Sequence, residues 1–185
     1  MAQLSIGGLV LGQKLLIKSI QYGSISIASG STSNTGAINE VDLDNSIIMF
    51  LGNTSAASAL RGSMARVELT NSTTVTVIGG TSEPFGGRTA RFCVLEFHPG
   101  LLKSNQSGYI TIATSQTTNT DTISSVDTTK AVLFYLGIGT DGGVRDEDQH
   151  FADIQLTNST TITATRDTAD ANETVDTGYQ IIEFY

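Results

Sequence analysis

The sequence predicts an all-β protein that consists of two tandem, small antiparallel β-sandwich domains derived from an internal duplication. Three observations support this. Charged residues make up only 15% of the 185 residues, so polarity comes mainly from Ser, Thr and Asn, which suit sheet faces and turns. Apolar residues alternate over short stretches, and no stretch keeps a helical period for three turns. Finally, most of the chain aligns with itself.

The self-alignment has two constant offsets and covers almost the whole chain. At an offset of 85 residues, three segments match: 16–29 with 101–114, 34–42 with 119–127, and 46–52 with 131–137. At an offset of 87 residues, two more match: 65–77 with 152–164, and 91–98 with 178–185. We therefore expect an N-terminal arm over 1–14, a first β-sandwich over 15–98 and a second over 101–185.

Each copy is expected to contain about six strands. "SIQYGSISI" alternates apolar and polar residues, with a phase shift at Gly23 that predicts a β-bulge. "SIIMFLG" (46–52) and "AVLFYLG" (131–137) are continuous apolar runs, so we expect these strands to be buried on both faces. "ARVEL", "TTVTV" and "RFCVLEF", with their second-copy equivalents, supply the remaining strands.

The hexapeptide "LTNSTT" occurs at Leu69–Thr74 and again at Leu156–Thr161, between two predicted strands of each copy. Asn tolerates left-handed backbone angles and can bond to its own backbone two residues on. We therefore interpret Asn71 and Asn158 as structural corners. A glycan-binding corner is the alternative.

Charge and side-chain inventory exclude several classes of function. The net charge is −8 and lies entirely in residues 99–185, which argues against nucleic acid as a partner. No apolar run approaches the length of a membrane span, so we expect no membrane insertion. With one cysteine (Cys93) and two histidines, no zinc site or nucleophilic triad can be assembled. We expect no enzymatic activity, no cofactor and no metal, and we interpret "RDEDQH" (145–150) as an acidic loop.

Two regions of the sequence remain as binding candidates. One has no second copy, and the other differs between the copies. The arm is one, and its apolar residues are predicted to form an interface: Leu4, Ile6, Leu9, Val10 and Leu11. The other is the pair of variable loops, 53–63 and 138–150. Their candidate binding residues are Arg61, Arg145, Asp146, Asp148 and His150.

Each half of the sequence repeats one layout: an "IQ-x-G-x-I-x-I" opening, a "NT…I…VD" middle, a "TNSTT" corner and a "V-x-E-F" end. This layout resembles the β-domains of tailed-bacteriophage virion proteins: tail-fibre segments, adhesins and capsid decoration (cement) proteins. The resemblance implies a decoration protein on the capsid exterior that is made in the bacterial host cytoplasm. It also implies a homotrimer that contacts the major capsid protein. The alternative is a tail-tip module that binds a receptor or host surface glycan, and a weaker similarity to H-type lectins supports the fold more than a sugar site.

Overall fold

The computed structural model of the protein describes residues 5–6, 9–10, 16–56, 60–80, 87–141 and 147–185. These residues form an all-β structure, as the sequence predicts. Short 3-10 turns lie at Leu43–Asn45 and Leu60–Ser63, and one helical turn, α1, lies at Glu147–His150. The strands are β1 (Ser5–Ile6), β2 (Leu9–Val10), β3 (Ile17–Ile27), β4 (Ser33–Ala37), β5 (Ser46–Ser55), β6 (Arg66–Asn71), β7 (Thr74–Ile78), β8 (Arg88–Phe97), β9 (Leu102–Ile112), β10 (Thr118–Thr122), β11 (Ala131–Asp141), β12 (Ala152–Asn158), β13 (Thr161–Arg166) and β14 (Thr174–Phe184).

The first half (16–98) and the second half (101–185) have the same strand order. The first half contains the antiparallel sets β3-β8-β5 and β4-β7-β6, and the second contains β9-β14-β11 and β10-β13-β12. Strand β6 also meets β11 at the Arg66–Gly137 bridge, which joins two of these sets into one six-stranded sheet. The shared order is what a duplication would produce, and the duplication itself stays a prediction from the sequence.

Each half buries an apolar core between its two sets of strands, because alternate residues of every strand point inward. The first core contains Ile25, Ile27, Ile48, Val67, Val75, Val77, Ala90, Phe92 and Val94. The second contains Ile110, Ile112, Ile162, Ala164, Val175, Tyr179 and Ile181. The β-sandwich class predicted from the two-residue period is therefore confirmed.

The prediction of a bulge at Gly23 is wrong. The pairing of β3 with β8 runs without interruption through Gly23, which faces Phe92. A Cβ at Gly23 would lie 2.3 Å from the Phe92 ring, so this glycine makes room for an aromatic side chain on the neighbouring strand. Gly108 does the same for Tyr179 in the second half. The phase shift in the sequence thus marks a ring contact across strands.

Strand β3 shifts its register between Ile17 and Ser19 instead, and two further shifts lie at the ends of the apolar runs. The registers of β5 and β11 shift beside Gly52 and Gly137, whose φ angles are 97° and 92°. Glycine adopts positive φ without the steric cost that a Cβ would add. The glycine that ends each apolar run is therefore required by the positive φ at the register shift.

The prediction that both apolar runs are buried on both faces is only half right. On the outer side of β5, Ile47 is 3% exposed, because the second half packs over it. Val132 holds the matching position on β11 and is 42% exposed. The apolar content of the two runs does not show that the second half covers β5 while the equivalent side of β11 stays exposed.

Alanine substitutions at Gly137 and Gly52 should differ in a measurable way. Both force positive φ on a residue with a Cβ, which costs about 1–2 kcal/mol. At Gly52 the Cβ meets nothing within 4 Å, whereas at Gly137 it would lie 2.3 Å from the Ala65 carbonyl oxygen. In urea unfolding experiments we expect Gly137→Ala to lower the free energy of unfolding clearly more than Gly52→Ala. Equal effects would show that β6 and β11 are not in close contact.

Candidate functional site

Several residues that recur in both halves form a structural clamp around a buried carboxylate. In the first half Glu96 Oε1 accepts hydrogen bonds from Lys18 Nζ (2.7 Å) and the Asp42 backbone N–H (3.0 Å). Its other oxygen accepts from Ser19 Oγ at 3.0 Å. Burial alone would raise the pKa of Glu96, but these hydrogen bonds outweigh it and hold the pKa below its usual value. The clamp fastens strand β3, the Asp42 corner and strand β8 to one another.

The second half repeats the clamp with the matching residues. Glu183 Oε1 accepts from Lys103 Nζ at 2.7 Å and from the Asp127 backbone N–H at 3.1 Å. The hydrogen bond from Lys103, followed by that from Asp127, lowers the pKa of Glu183. The lysine, aspartate and glutamate that recur at constant offsets therefore link two strands and a corner within each half.

Asn71 and Asn158 lie at the two "LTNSTT" turns, and each Asn side chain forms hydrogen bonds within its own turn. Asn71 Oδ1 accepts from the backbone N–H (2.9 Å) and Oγ1 (3.1 Å) of Thr73. Asn158 Oδ1 accepts from the same two groups of Thr160, at 2.9 and 3.0 Å. These bonds account for the repeated hexapeptide without a ligand.

The two halves meet where the outer face of the second half covers the edge of β5. Gln180, on β14, accepts from the Ile48 N–H at 2.8 Å and donates to the Ser46 carbonyl at 3.0 Å. Asn105, on β9, donates to the carbonyls of Ser46 (2.7 Å) and Leu43 (2.8 Å). Gln180 also donates to Asn105 Oδ1 at 2.8 Å, so the two amides orient each other. Two side chains thus replace the strand that would otherwise pair with β5.

Apolar packing surrounds these polar contacts. Buried residues from both halves form a third cluster at the junction, with half-buried residues around it. The cluster contains Ile47, Met49, Leu95, Phe97, Leu101, Leu102, Phe134, Ile182 and Phe184. Its buried polar groups are paired and its apolar surface is continuous, so the junction is a fixed interface.

A groove of about 270 Å³ opens beside this junction and is the candidate binding site. Its walls come from β5 and β6 of the first half and from β9, β11 and β14 of the second. The Arg66 guanidinium lies 4.3 Å from the centre of the Tyr109 ring and forms a 2.9 Å salt bridge with Glu68. Tyr109 is 50% exposed and Glu68 is half-buried. The groove therefore presents an aromatic face and a carboxylate side by side.

The predicted arm residues fall largely outside the described part of the chain. Leu4 and Leu11 lie outside it, and only the backbone of Ile6, Leu9 and Val10 is described, as parts of the short β1–β2 pair. Their role as an interface stays a prediction.

Among the variable-loop candidates, only the side chain of His150 lies in the described part of the structure. Arg145 and Asp146 fall outside it, and for Arg61 and Asp148 only the backbone is described. His150 is fully buried, and its Nε2 lies 2.5 Å from Glu173 Oε2. The prediction that His150 is a surface binding residue is wrong, because α1 turns its ring into the protein.

Sequence reasoning also missed two buried guanidinium groups that fasten the variable loops. In the first half Arg88 Nη1, from β8, donates to the Gly62 carbonyl at 3.1 Å and occupies the space beside Gly79. In the second half Arg166, from β13, donates to the Gln149 carbonyl at 3.0 Å. At an offset of 87 residues Gly79 corresponds to Arg166, and Gly62 to Gln149. The two equivalent carbonyls thus accept hydrogen bonds from arginines on two different strands. Only an alignment of the two halves of the sequence relates Arg88 to Arg166 in this way.

Cys93 is buried in β8, as its apolar neighbours predict, and burial raises the pKa of its thiol. Among the described residues, no three His, Cys, Asp or Glu side chains lie together as a metal site would require. Within the same ranges, no helix has the length and apolarity needed to cross a membrane.

Comparisons with known proteins give no relative for this chain: no family model, no curated protein and no solved structure matches it.

The junction can be tested with Gln180→Leu. This change leaves the Ile48 N–H and one bond of the Ser46 carbonyl without a partner in a buried place, which costs about 1–3 kcal/mol. We expect the free energy of unfolding in urea to fall by that amount. Gln155→Leu, on an exposed position of β12, is the matched control and should change it by less than about 0.5 kcal/mol. Equal effects of the two substitutions would contradict the bonding role of Gln180.

Proposed function

We propose that the protein is a non-enzymatic structural component of a bacteriophage virion, a capsid decoration (cement) protein on the particle exterior. The observation that carries the proposal is the uneven charge of a joined pair of β-sandwiches that both expose apolar side chains. The large exposed apolar side chains are Leu16, Ile17, Ile20, Tyr22, Leu43 and Leu51 on the first half, and Tyr109, Val132, Tyr135, Phe151 and Tyr185 on the second. Exposed apolar side chains that lie near one another indicate contact surfaces for other proteins.

The distribution of charge supports the same function. Residues 1–98 carry six basic and six acidic groups, whereas residues 99–185 carry the whole net charge of −8. A neutral, apolar surface can dock without desolvating many charges, and an acidic surface stays hydrated. We therefore assign the first half to contacts within the particle and the second half to its solvent side. The resemblance of the repeated layout to virion β-domains points to the same class.

The location in the particle is the direct test. Purified particles from the source phage should contain the protein by mass spectrometry. Cryo-electron microscopy should then show density for paired β-sandwiches on the outer capsid surface. Density for the protein only at the tail tip would refute the decoration function.

Deleting residues 1–14 should separate folding from incorporation. The strands of the first half begin at Ile17, so we expect the truncated chain to keep its far-ultraviolet circular dichroism and its unfolding midpoint. If the apolar arm lies along a neighbouring protein, occupancy on particles assembled with the truncated chain should fall to background. Unchanged occupancy by quantitative mass spectrometry would contradict a docking role for the arm.

The groove at the junction favours a second candidate, a tail-tip module that binds a host surface glycan. Sugar sites combine an aromatic face, against which the apolar side of a sugar ring packs, with polar groups that bond to its hydroxyls. Tyr109 supplies the exposed aromatic face, and Glu68 supplies a carboxylate next to it. This function would use the groove and not the variable loops.

A glycan array distinguishes this second candidate. If the groove binds sugar, the wild-type chain should give reproducible signals that Tyr109→Ala reduces at least tenfold. Tyr185→Ala, which removes a more exposed aromatic residue that does not line the groove, should leave the signals unchanged. No signal for the wild-type chain, or equal loss with both variants, would argue against a sugar site in the groove.

A further inference from the structure

The contact between the two halves uses one face and one edge. The face is the outer side of β9, β14 and β11, which includes Leu102, Asn105, Gln180 and Ile182. The edge is the unpaired side of β5, whose outward residue Ile47 is buried by the contact. Since the halves have the same strand order, each of these two surfaces has a counterpart in the other half.

The counterpart of the face lies on the outer side of β3 and β8. At the two constant offsets, Leu102, Asn105 and Ile182 correspond to Ile17, Ile20 and Leu95. The pairing of β3 with β8 places Ile17, Ile20 and Tyr22 on the same side as Phe97, Leu95 and Cys93, respectively. Ile20 is 51% exposed and Tyr22 is 77% exposed. We call the surface formed by Ile17, Ile20 and Tyr22 the free face, because these three side chains of β3 are exposed in the described chain, whereas Leu95 on β8 is half-buried at the junction.

The counterpart of the edge is the side of β11 that faces away from β14. Among the described residues, no strand pairs with this side between Ala131 and Tyr135, since β6 reaches β11 only at Gly137. Val132 and Tyr135 are exposed there, whereas the equivalent Ile47 is buried. We call this segment, residues 131–135, the free edge.

We infer that the free face of one copy of the chain docks on the free edge of a second copy, so that the contact within the chain is repeated between chains. The free face exposes three apolar side chains of β3 and the free edge exposes Val132 and Tyr135, and each holds the position of a surface that is buried in the junction. This inference does not depend on whether the protein belongs to a virion.

Charge favours this head-to-tail orientation. The free face belongs to the half with balanced charge, and the free edge belongs to the half that carries −8. A contact between two second halves would bring like charges together, whereas the head-to-tail contact pairs a neutral half with an acidic one. A head-to-tail contact leaves one unused surface at each end of a dimer. Copies are therefore added until a ring closes, or continue as a filament.

The contact between chains differs from the junction in its polar groups. Gln180 and Asn105, which bond to the edge of β5, correspond to Cys93 and Ile20 on the free face. Neither replacement has an amide to offer the backbone of β11. The contact between copies therefore depends on apolar packing and is weaker than the junction, so it should be reversible with dilution.

Two surface variants of the full chain test the inference. Ile20→Asp disables the free face and Val132→Asp disables the free edge, while Thr35→Asp on the exposed strand β4 is the control. In sedimentation velocity over a range of concentrations, we expect the wild type and the control to assemble beyond the dimer and each variant alone to be monomeric. Circular dichroism checks that both variants fold.

Mixing the two variants gives the decisive result. The Ile20→Asp chain keeps its free edge and the Val132→Asp chain keeps its free face, so together they should form a 1:1 dimer and nothing larger. A wild type that stays monomeric at every concentration would overturn the inference. So would assembly of both variants like the wild type, or assembly of Val132→Asp alone, which would indicate a face-to-face contact. A mixture that stays monomeric would overturn it as well.

Discussion

The backbone edge of β5 is the constraint on which the arrangement of the whole molecule depends. A buried strand edge without hydrogen-bond partners would leave several N–H and C=O groups unpaired, and this would lower the free energy of unfolding. Gln180 supplies both a donor and an acceptor to this edge, and Asn105 supplies a second donor. Because an amide side chain must approach the backbone at hydrogen-bond distance, these bonds fix the position of the second half against β5. That docking creates the groove beside Tyr109 and decides which apolar faces remain exposed.

The repeated and the unrepeated residues have different tasks. Residues that recur at the constant offsets, such as Glu96 and Glu183 or Asn71 and Asn158, bond within their own half. They would be needed by either half even if it stood alone. Residues that differ between the halves determine how the halves contact each other, as Gln180 does. The relative placement of the two halves is therefore decided at positions where the halves differ.

The period of the apolar residues was enough to predict the all-β class, six strands in each half and the inward face of most strands. It could not predict the environment of the outward faces, because Ile47 and Val132 are equivalent in pattern and differ only in what packs over them. The role of Gly23 depends on a ring 69 positions later, and no local pattern contains that contact. The sequence pattern predicts His150 as a loop residue, because its partner Glu173 follows two further strands along the chain. The groove is lined by five strands from both halves, so its position depends on how the halves are placed against each other.

The buried guanidinium groups of Arg88 and Arg166 limit which substitutions the two halves can accept. Arg88 and Arg166 come from different strands, β8 and β13, yet each one fastens the equivalent loop carbonyl of its own half. Copying β13 alone into the position of β7 would place two arginines in one cavity, and copying β14 alone into the position of β8 would leave none. The two positions in each half are therefore coupled, and a neutral substitution at one depends on the residue at the other. Single strands of the two halves are no longer interchangeable, although their backbones follow the same path.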